Sequence, residues 1–302
     1  MRVVVTGGLG FIGSAFVRLY HNKYNIAIVD KHTYAADPMR VCGCRYHLVK
    51  DDISTCSFAL LRPDVIINFA ANTHVDNSIK DDNPFLRSNI DGVVNILRYA
   101  KESGCSVIQV STDEVYGSRI IGSFKEADRF NTGNSYSASK ASAEHFCTSY
   151  HNTFGVDVKV TRGANTLGPF QFPEKLIPLA LRKLRNKEKI PVYGEGLQVR
   201  DWLYVDDHAR AIEAVMLHGK AGEAYNINGF QELCNIDLVT KLIDVCIKQG
   251  WDFDPDNSIE FVPDRLGHDY RYSMCGDKIR ELGWKPTVDL DEGLIRTVNA
   301  FR

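Results

Sequence analysis

Apolar residues in this chain come in short blocks, separated by turn-formers and by stretches of helical period. Arg2–Thr6 is a β-branched run, and Ile26–Val29, Tyr46–Val49, Val65–Ala71, Val107–Val110 and Asp157–Arg162 repeat the theme. The block from Val65 is apolar at consecutive positions, as a central parallel strand buried on both faces should be. Between these blocks, Ser14 to about His21, Pro84 to Ser103 and Tyr136 to about Thr153 carry helical spacing. In the second of these, Phe85, Ile90, Val93, Val94 and Leu97 share one face. Strands alternating with helices predict an α/β chain with a parallel sheet.

Beyond Gly168 the regularity fades, because Phe170, Phe172, Pro173 and Pro178 break any period. A smaller substrate-binding portion is expected there, so the chain divides into residues 1–167 and 168–302. Residues 203–228, with a helix from Asp207 to His218 and a strand at Ala224–Asn228, are expected to pack back onto the first part. Asn235 opens a further helix to about Gly250, where a plain N-cap role would suit it.

The first strand runs directly into Gly7-Gly8-Leu9-Gly10-Phe11-Ile12-Gly13, a helix follows, and the second strand ends at Asp30. Strand, glycine turn, helix, strand and acid make the Rossmann dinucleotide-binding unit. Gly7 allows the tight turn, Gly10 lets backbone approach a pyrophosphate, and Gly13 lets helix and strand close up. Asp30 can accept from ribose hydroxyls and would repel a 2′-phosphate, which favours NAD over NADP. Lys31 and His32 soften that preference without reversing it.

Bulk properties narrow the classes further. At 302 residues the chain is long for a single core. Its 44% hydrophobic and 25% charged content describes an ordinary globule, and a formal charge of −2 offers no field for nucleic acid or an anionic membrane. With a strand expected directly from Arg2, no signal peptide is expected, and no apolar run is long enough to span a bilayer. Eight cysteines (Cys42, Cys44, Cys56, Cys105, Cys147, Cys234, Cys246, Cys275) are scattered without zinc-like spacing. Reduced thiols in a cytoplasmic protein, and no metal site, are therefore expected.

The chemistry is expected at Ser111-Thr112-Asp113-Glu114-Val115-Tyr116-Gly117, where a strand end delivers a hydroxyl and two adjacent carboxyls. Neighbours on a strand point to opposite faces, so Asp113 and Glu114 share one site only if the strand breaks into a loop there. Tyr136 and Lys140 lie four apart on one helix face. An ammonium beside the phenol would lower its pKa and make Tyr136 a base near neutral pH.

Together, the glycine turn, Asn68-Phe69-Ala70-Ala71, Ser111-Thr112 and Tyr136-x-x-x-Lys140 resemble the extended short-chain dehydrogenase/reductases that act on nucleotide sugars. Ser-Thr-Asp-Glu-Val-Tyr-Gly is similar to the dTDP-glucose 4,6-dehydratase branch, because sugar epimerases of this fold usually lack the Asp-Glu pair. Further matches are Asp30-Lys31-x-Thr33-Tyr34-Ala35, Thr73-His74-Val75-Asp76, Gly168 to Pro178, Val199 to Val205, and Asp264-Arg265-x-Gly267-His268-Asp269. Asn72 and Asn77 depart from the Glu and Arg common in that branch, and His-Val-Asp-Asn-Ser is closer to UDP-glucose 4,6-dehydratases.

The resemblance implies a Rossmann-type doubly wound parallel sheet with a smaller α/β substrate-binding domain. It implies tightly held NAD, regenerated each turnover, contacted also by Phe11, Ile12, Thr33, Asp52, Ile53, Phe69, Ala70, Ala71, Thr73 and Asn89. It assigns Thr112, Tyr136 and Lys140 to oxidation at carbon 4, Glu114 as base and Asp113 as acid. Nucleotide-sugar contacts are implied for His74, Thr112, Asn165, Glu174, Lys175, Leu176, Arg200, Asn235, Arg265, His268 and Tyr272. A homodimer through the helices near 84–103 and 136–153 is also implied. The activity implied is dehydration of dTDP-glucose, with UDP-glucose as the alternative substrate. An epimerase, a decarboxylase or a non-catalytic NAD-sensing protein are the remaining alternatives.

Overall fold

The computed structural model describes residues 1–264 and 267–301. Seven parallel strands form the main sheet: β1 (Arg2–Thr6), β2 (Asn25–Asp30), β3 (His47–Lys50), β4 (Val65–Asn68), β5 (Ser106–Thr112), β6 (Val158–Gly163) and, later in the chain, β10 (Ala224–Ile227). Their order is β10-β6-β5-β4-β1-β2-β3. The order reverses at β1, which lies between β2 and β4. The crevice above such a reversal is where open α/β sheets bind ligands.

Alternate residues of these strands feed two cores. Val3, Val5, Ile28, Ile67 and Ile108 face α1 (Phe11–Tyr20) and a later helix, Val205–His218. Val4, Val29, Ile66, Val107 and Val158 face the other way. A polar chain crosses the centre of the sheet: the Thr6 hydroxyl donates to Asn68 Oδ1 at 2.5 Å, and Asn68 Nδ2 donates to Gln109 Oε1 at 2.8 Å. It lies just beneath the strand ends, so it ties together the three strands under the crevice. Strand β4 therefore stops at Asn68, and Phe69–Ala71 is already the loop above it.

After α2 (Val75–Lys80), the expected single helix over 84–103 is built in three pieces. They are a short turn α3 (Asn83–Phe85), a π-helical turn Leu86–Asp91, and α4 (Gly92–Ser103). The wider turn lets buried Asn89 face inward, where it accepts from Asn72 N and donates to Asn72 O and Ser139 Oγ. The long α5 (Ser135–Phe154) packs beside α4 and opens with a capping box between Asn134 and Ser137.

The second half adds two small sheets. β7 (Asn165–Leu167) pairs with β9 (Val199–Tyr204), which also pairs with β11 (Glu232–Cys234). β8 (Ile190–Tyr193) pairs with β12 (Ile259–Val262). Between them lies α6 (Leu176–Arg185), a helix that the proline at 178 conceals in the sequence pattern. Pro178 sits in its first turn, where a missing N–H leaves no helical hydrogen bond unmade. α7 (Val205–His218) starts two residues earlier than expected and packs on α1, while β10 closes the main sheet beside β6. α8 (Asn235–Lys248) takes Cys234, not Asn235, as its N-cap. With α9 (Asp277–Glu281) and α10 (Leu290–Ala300), the chain returns to a third core containing Leu181, Trp202, Leu242 and Leu294.

Ile67 is 0% exposed in the middle of the main sheet, whereas Leu60 is 92% exposed. Ile67→Ala is expected to cost about 2–5 kcal/mol in denaturant unfolding. Leu60→Ala should stay within about 0.5 kcal/mol.

Candidate active site

The glycine turn opens the crevice. Gly7 has φ +65°, and a Cβ there would come within 2.7 Å of Ala70 N, so the turn and the Asn68–Ala71 loop can meet only through glycine. A Cβ on Gly13 would lie 2.5 Å from Gly7 O, which fixes how closely α1 approaches β1. Gly10 differs, because a Cβ there would meet only Gly7 O, at 3.1 Å. Its open side faces the cavity, beside the free N–H groups that begin α1. Buried Asp30 accepts from Leu9 N through one oxygen and from His32 N through the other. The cradle and the acid at the end of β2 thus form one rigid unit that fits a dinucleotide.

One cavity runs from this cradle to the end of β5. Gly7, Gly10, Phe11, Ile12 and Gly13 line its floor, and Asp30, Lys31, Thr33, Asp52 and Ile53 line one end. Burial opposes the charge of Asp52. The Ser54 N–H and hydroxyl, with Lys31 and Arg87, nevertheless hold it below the usual carboxylate range. Phe69, Ala70, Ala71 and Thr73 line the β4 side. At the far end stand Thr112, Asp113, Glu114, Tyr136 and Lys140, with Asn165, Glu174, Lys175 and Leu176 contributed by the second half.

Strand β5 ends at Thr112, and Asp113–Tyr116 forms a 3₁₀ turn. The break that the Asp-Glu pair requires is therefore present. Asp113 is buried, and the Thr112 hydroxyl donates to its Oδ1 at 3.1 Å. Burial first, and Glu114 second, push the Asp113 carboxyl up to about 8, against smaller opposing effects from Arg200 and the Thr112 bond. This carboxyl is thus mostly protonated at neutral pH.

The Tyr–Lys pair behaves differently from the expectation. Lys140 Nζ donates to Val110 O at 2.6 Å, and Lys140 does not contribute to the shift of the phenol. Burial raises the Tyr136 pKa well above its ordinary value, helped by Glu114 and Asp113, while a hydrogen bond with Thr112 works the other way. Lys140 itself is lowered to about 8 by burial, with Glu144 opposing. Both groups share one face of α5, yet a four-residue spacing does not aim the ammonium at the phenol.

Other expected residues lie outside the cavity lining. Asn89 uses its side-chain amide on Asn72 and Ser139 and so holds the loop after β4. His74 Nε2 lies 3.9 Å from Glu174 Oε2, and Lys175, which does line the cavity, donates from Nζ to Thr73 O at 2.9 Å. These two contacts tie the 168–176 segment to the loop after β4. Arg200 is buried, stacks on Tyr272 at 4.1 Å, and donates to the carbonyls of Val199 and Asp269. Tyr272 donates to Asp269, His268 pairs with Asp264, and Asn235 N donates to Gln198 O. Arg265 lies outside the described residues.

The cavity also includes residues that the sequence reading missed. Gln171, Phe172 and Trp202 belong to stretches already matched, so the motifs themselves contained the signal. His208 does not, since nothing in its local pattern separates it from a core histidine. It lies against Gly163, bonds Thr166 Oγ1 at 2.8 Å, and burial lowers it to about 4.

The burial of Asp113 has a thermodynamic consequence. Its folded pKa lies above its unfolded one, so between about pH 4 and 8 the native state binds more protons than the unfolded state. The stabilisation is complete below the unfolded value and is lost as pH rises through the folded value. Unfolding free energy should therefore fall from pH 5 to 8 more steeply in the parent protein than in Asp113→Asn, measured by denaturant unfolding across that range. Equal slopes would contradict the burial of a protonated carboxyl.

Residues 3–228 match the NAD dependent epimerase/dehydratase family. The chain is 41% identical to a probable dTDP-glucose 4,6-dehydratase of Sinorhizobium fredii, over 100% of this chain and 93% of that protein. It is also 41% identical to the dTDP-glucose 4,6-dehydratase of Streptomyces venezuelae solved with NAD bound, with a TM-score of 0.92 over 100% of this chain and 97% of that one. A UDP-glucose 4-epimerase of Thermotoga maritima superposes nearly as well, with a TM-score of 0.91, but at 28% identity, over 100% of this chain and 98% of that one. Backbone shape is thus common to enzymes of different chemistry, and side chains must separate them. By sequence, site architecture and fold, the chain belongs to the NAD dependent epimerase/dehydratase family.

Proposed function

We propose that this protein is an NAD-dependent hydro-lyase that converts dTDP-glucose to the nucleotide 4-keto-6-deoxy sugar. The observation that carries this reading is the Asp113 carboxyl, raised to about 8 beside Glu114 in the cavity that also holds Tyr136 and Lys140. An epimerase needs a base for one hydroxyl and a hydride acceptor. A buried, protonated acid next to a second carboxyl is surplus to that chemistry. Dehydration requires both. The dTDP nucleotide is favoured over UDP by the relatives sharing 41% identity across the full chain.

The residues divide the work as follows. Tyr136 removes the proton from the carbon 4 hydroxyl, and Thr112 hydrogen-bonds the same oxygen. When bound, NAD supplies the hydride acceptor for carbon 4, the hydride donor for carbon 6, and a positive charge inside the cavity. Burial, with Glu114 and Asp113, disfavours the Tyr136 phenolate, so base strength at this position depends on positive charge brought into the cavity, which the bound cofactor would supply. The ketone formed at carbon 4 acidifies the proton on carbon 5.

Glu114 takes that proton, and Asp113 gives its own to the hydroxyl leaving carbon 6, so water departs without an unstabilised hydroxide. After hydride return to carbon 6, Glu114 restores a proton to carbon 5. The Gly7–Gly13 cradle and Asp30 hold the cofactor, and Asn165, Lys175 and Leu176 border the sugar-nucleotide end. The reading includes a homodimer built on α4 and α5, where Phe146 is exposed.

The test is to supply dTDP-glucose to the NAD-loaded protein and assay the 4-keto product by its absorbance in alkali. Asp113→Asn should lower the rate of keto-sugar formation by about 10²–10⁴-fold while still allowing reduction of the bound cofactor. Absence of keto product from the parent protein, with NAD bound, would refute the dehydratase reading.

A further inference from the structure

Two catalytic arms meet in the cavity, and one buried arginine joins them from behind. Tyr136 and Lys140 ride on α5, while Asp113 and Glu114 ride on the 3₁₀ turn Asp113–Tyr116. Arg162 stands on β6, paired with Ser111 in register. Its Nε and Nη2 donate to Glu144 Oε2 at 2.9 and 2.7 Å, and Glu144 lies one helical turn beyond Lys140. Its Nη1 donates to the Tyr116 hydroxyl, which closes the turn, and to Glu126 O at 2.9 Å. The Tyr116 hydroxyl in turn donates to Asn226 Oδ1 on β10 at 2.8 Å.

None of these groups reaches solvent to any useful extent: Arg162 is 5%, Glu144 3%, Tyr116 1% and Asn226 0% exposed. The Tyr116 ring stacks on Phe124 with centroids 4.8 Å apart and planes 6° off parallel. Beyond the turn, Gly117 has φ +74°, and a Cβ there would lie 2.3 Å from Asn131 O. The turn is therefore gripped at its last side chain and at its exit. A buried ion pair adds little net stability over apolar residues of the same volume, so its value here is geometric. Only a planar guanidinium can hold a carboxylate and a phenol in two fixed directions at once.

We propose that Arg162 is a positioning residue that sets the distance between the oxidising pair on α5 and the acid–base pair on the turn, through Glu144 on one side and Tyr116 on the other. The proposal rests on the dehydratase reading above. Oxidation uses one arm, whereas elimination must follow on the same bound sugar using the other. Loosening the turn-side link therefore affects the second step selectively. A small displacement of an acid from its reacting atom costs a large factor in rate.

The test is single-turnover kinetics on the NAD-loaded protein with dTDP-glucose, following the absorbance of the reduced cofactor and the keto product together. Tyr116→Phe removes one hydroxyl and keeps the ring in its stack. It should leave cofactor reduction within about twofold of the parent and slow elimination about tenfold or more, so that reduced cofactor accumulates. Arg162→Lys should show the same imbalance, because an ammonium satisfies Glu144 without also fixing Tyr116. Leu242→Val, a change in the separate third core, should leave the ratio of the two rates unchanged. Equal slowing of both steps in Tyr116→Phe, or no change in their ratio, would overturn the proposal while leaving the dehydratase reading intact. If the parent protein forms no keto sugar, that reading falls and the clamp falls with it.

Discussion

The arrangement depends on a carboxyl buried where a strand gives way to a turn. Asp113 is 4% exposed, and ionising it there would place a charge in a poorly solvated corner beside Glu114. The protein resolves this by keeping the proton. The stop of β5 at Thr112, which buries the Asp113 side chain in the turn, is also what makes the acid usable, while the Thr112 hydroxyl bond tempers the shift. Arg200 works against the shift from a distance, so the acid is not raised so far that it could never give up its proton.

The sheet beneath supplies the rigidity that such a site needs. Its polar chain from Thr6 through Asn68 to Gln109 spends buried hydrogen bonds on three adjacent strands, at the level where the glycine turn meets the loop after β4. The Asn89 lock does the same for Asn72, and the π-helical turn exists where that inward asparagine is needed. Cradle, loop and acid–base pair are thus held by buried and part-buried hydrogen bonds.

Much of this was readable in the residues because the signals were local. Gly7, Gly10, Gly13 and Asp30 announce their roles by spacing within one strand–helix–strand unit, and the chemistry of Ser111 to Gly117 follows from two carboxyls at a strand end. What escaped the sequence reading was non-local or directional. Lys140 lies on the expected face of α5 but turns to Val110 O, and no spacing rule contains that choice of rotamer. Asn89 fits a helical period, so the period hides the wider turn around it. Pro178 masks α6 because a first-turn proline reads as a breaker. Arg162 reads as the end of an ordinary strand, and only the fold brings Glu144 and Tyr116 to it.

In the proposed reaction, oxidation, elimination and reduction occur on one sugar without exchange of the cofactor. The most direct measurement follows deuterium placed on carbon 4 of dTDP-glucose through a turnover, with the product read by nuclear magnetic resonance. The label should leave carbon 4 and appear in the carbon 6 methyl of a 4-keto product. A label found still on carbon 4 of an epimerised sugar, or lost to solvent, would contradict it.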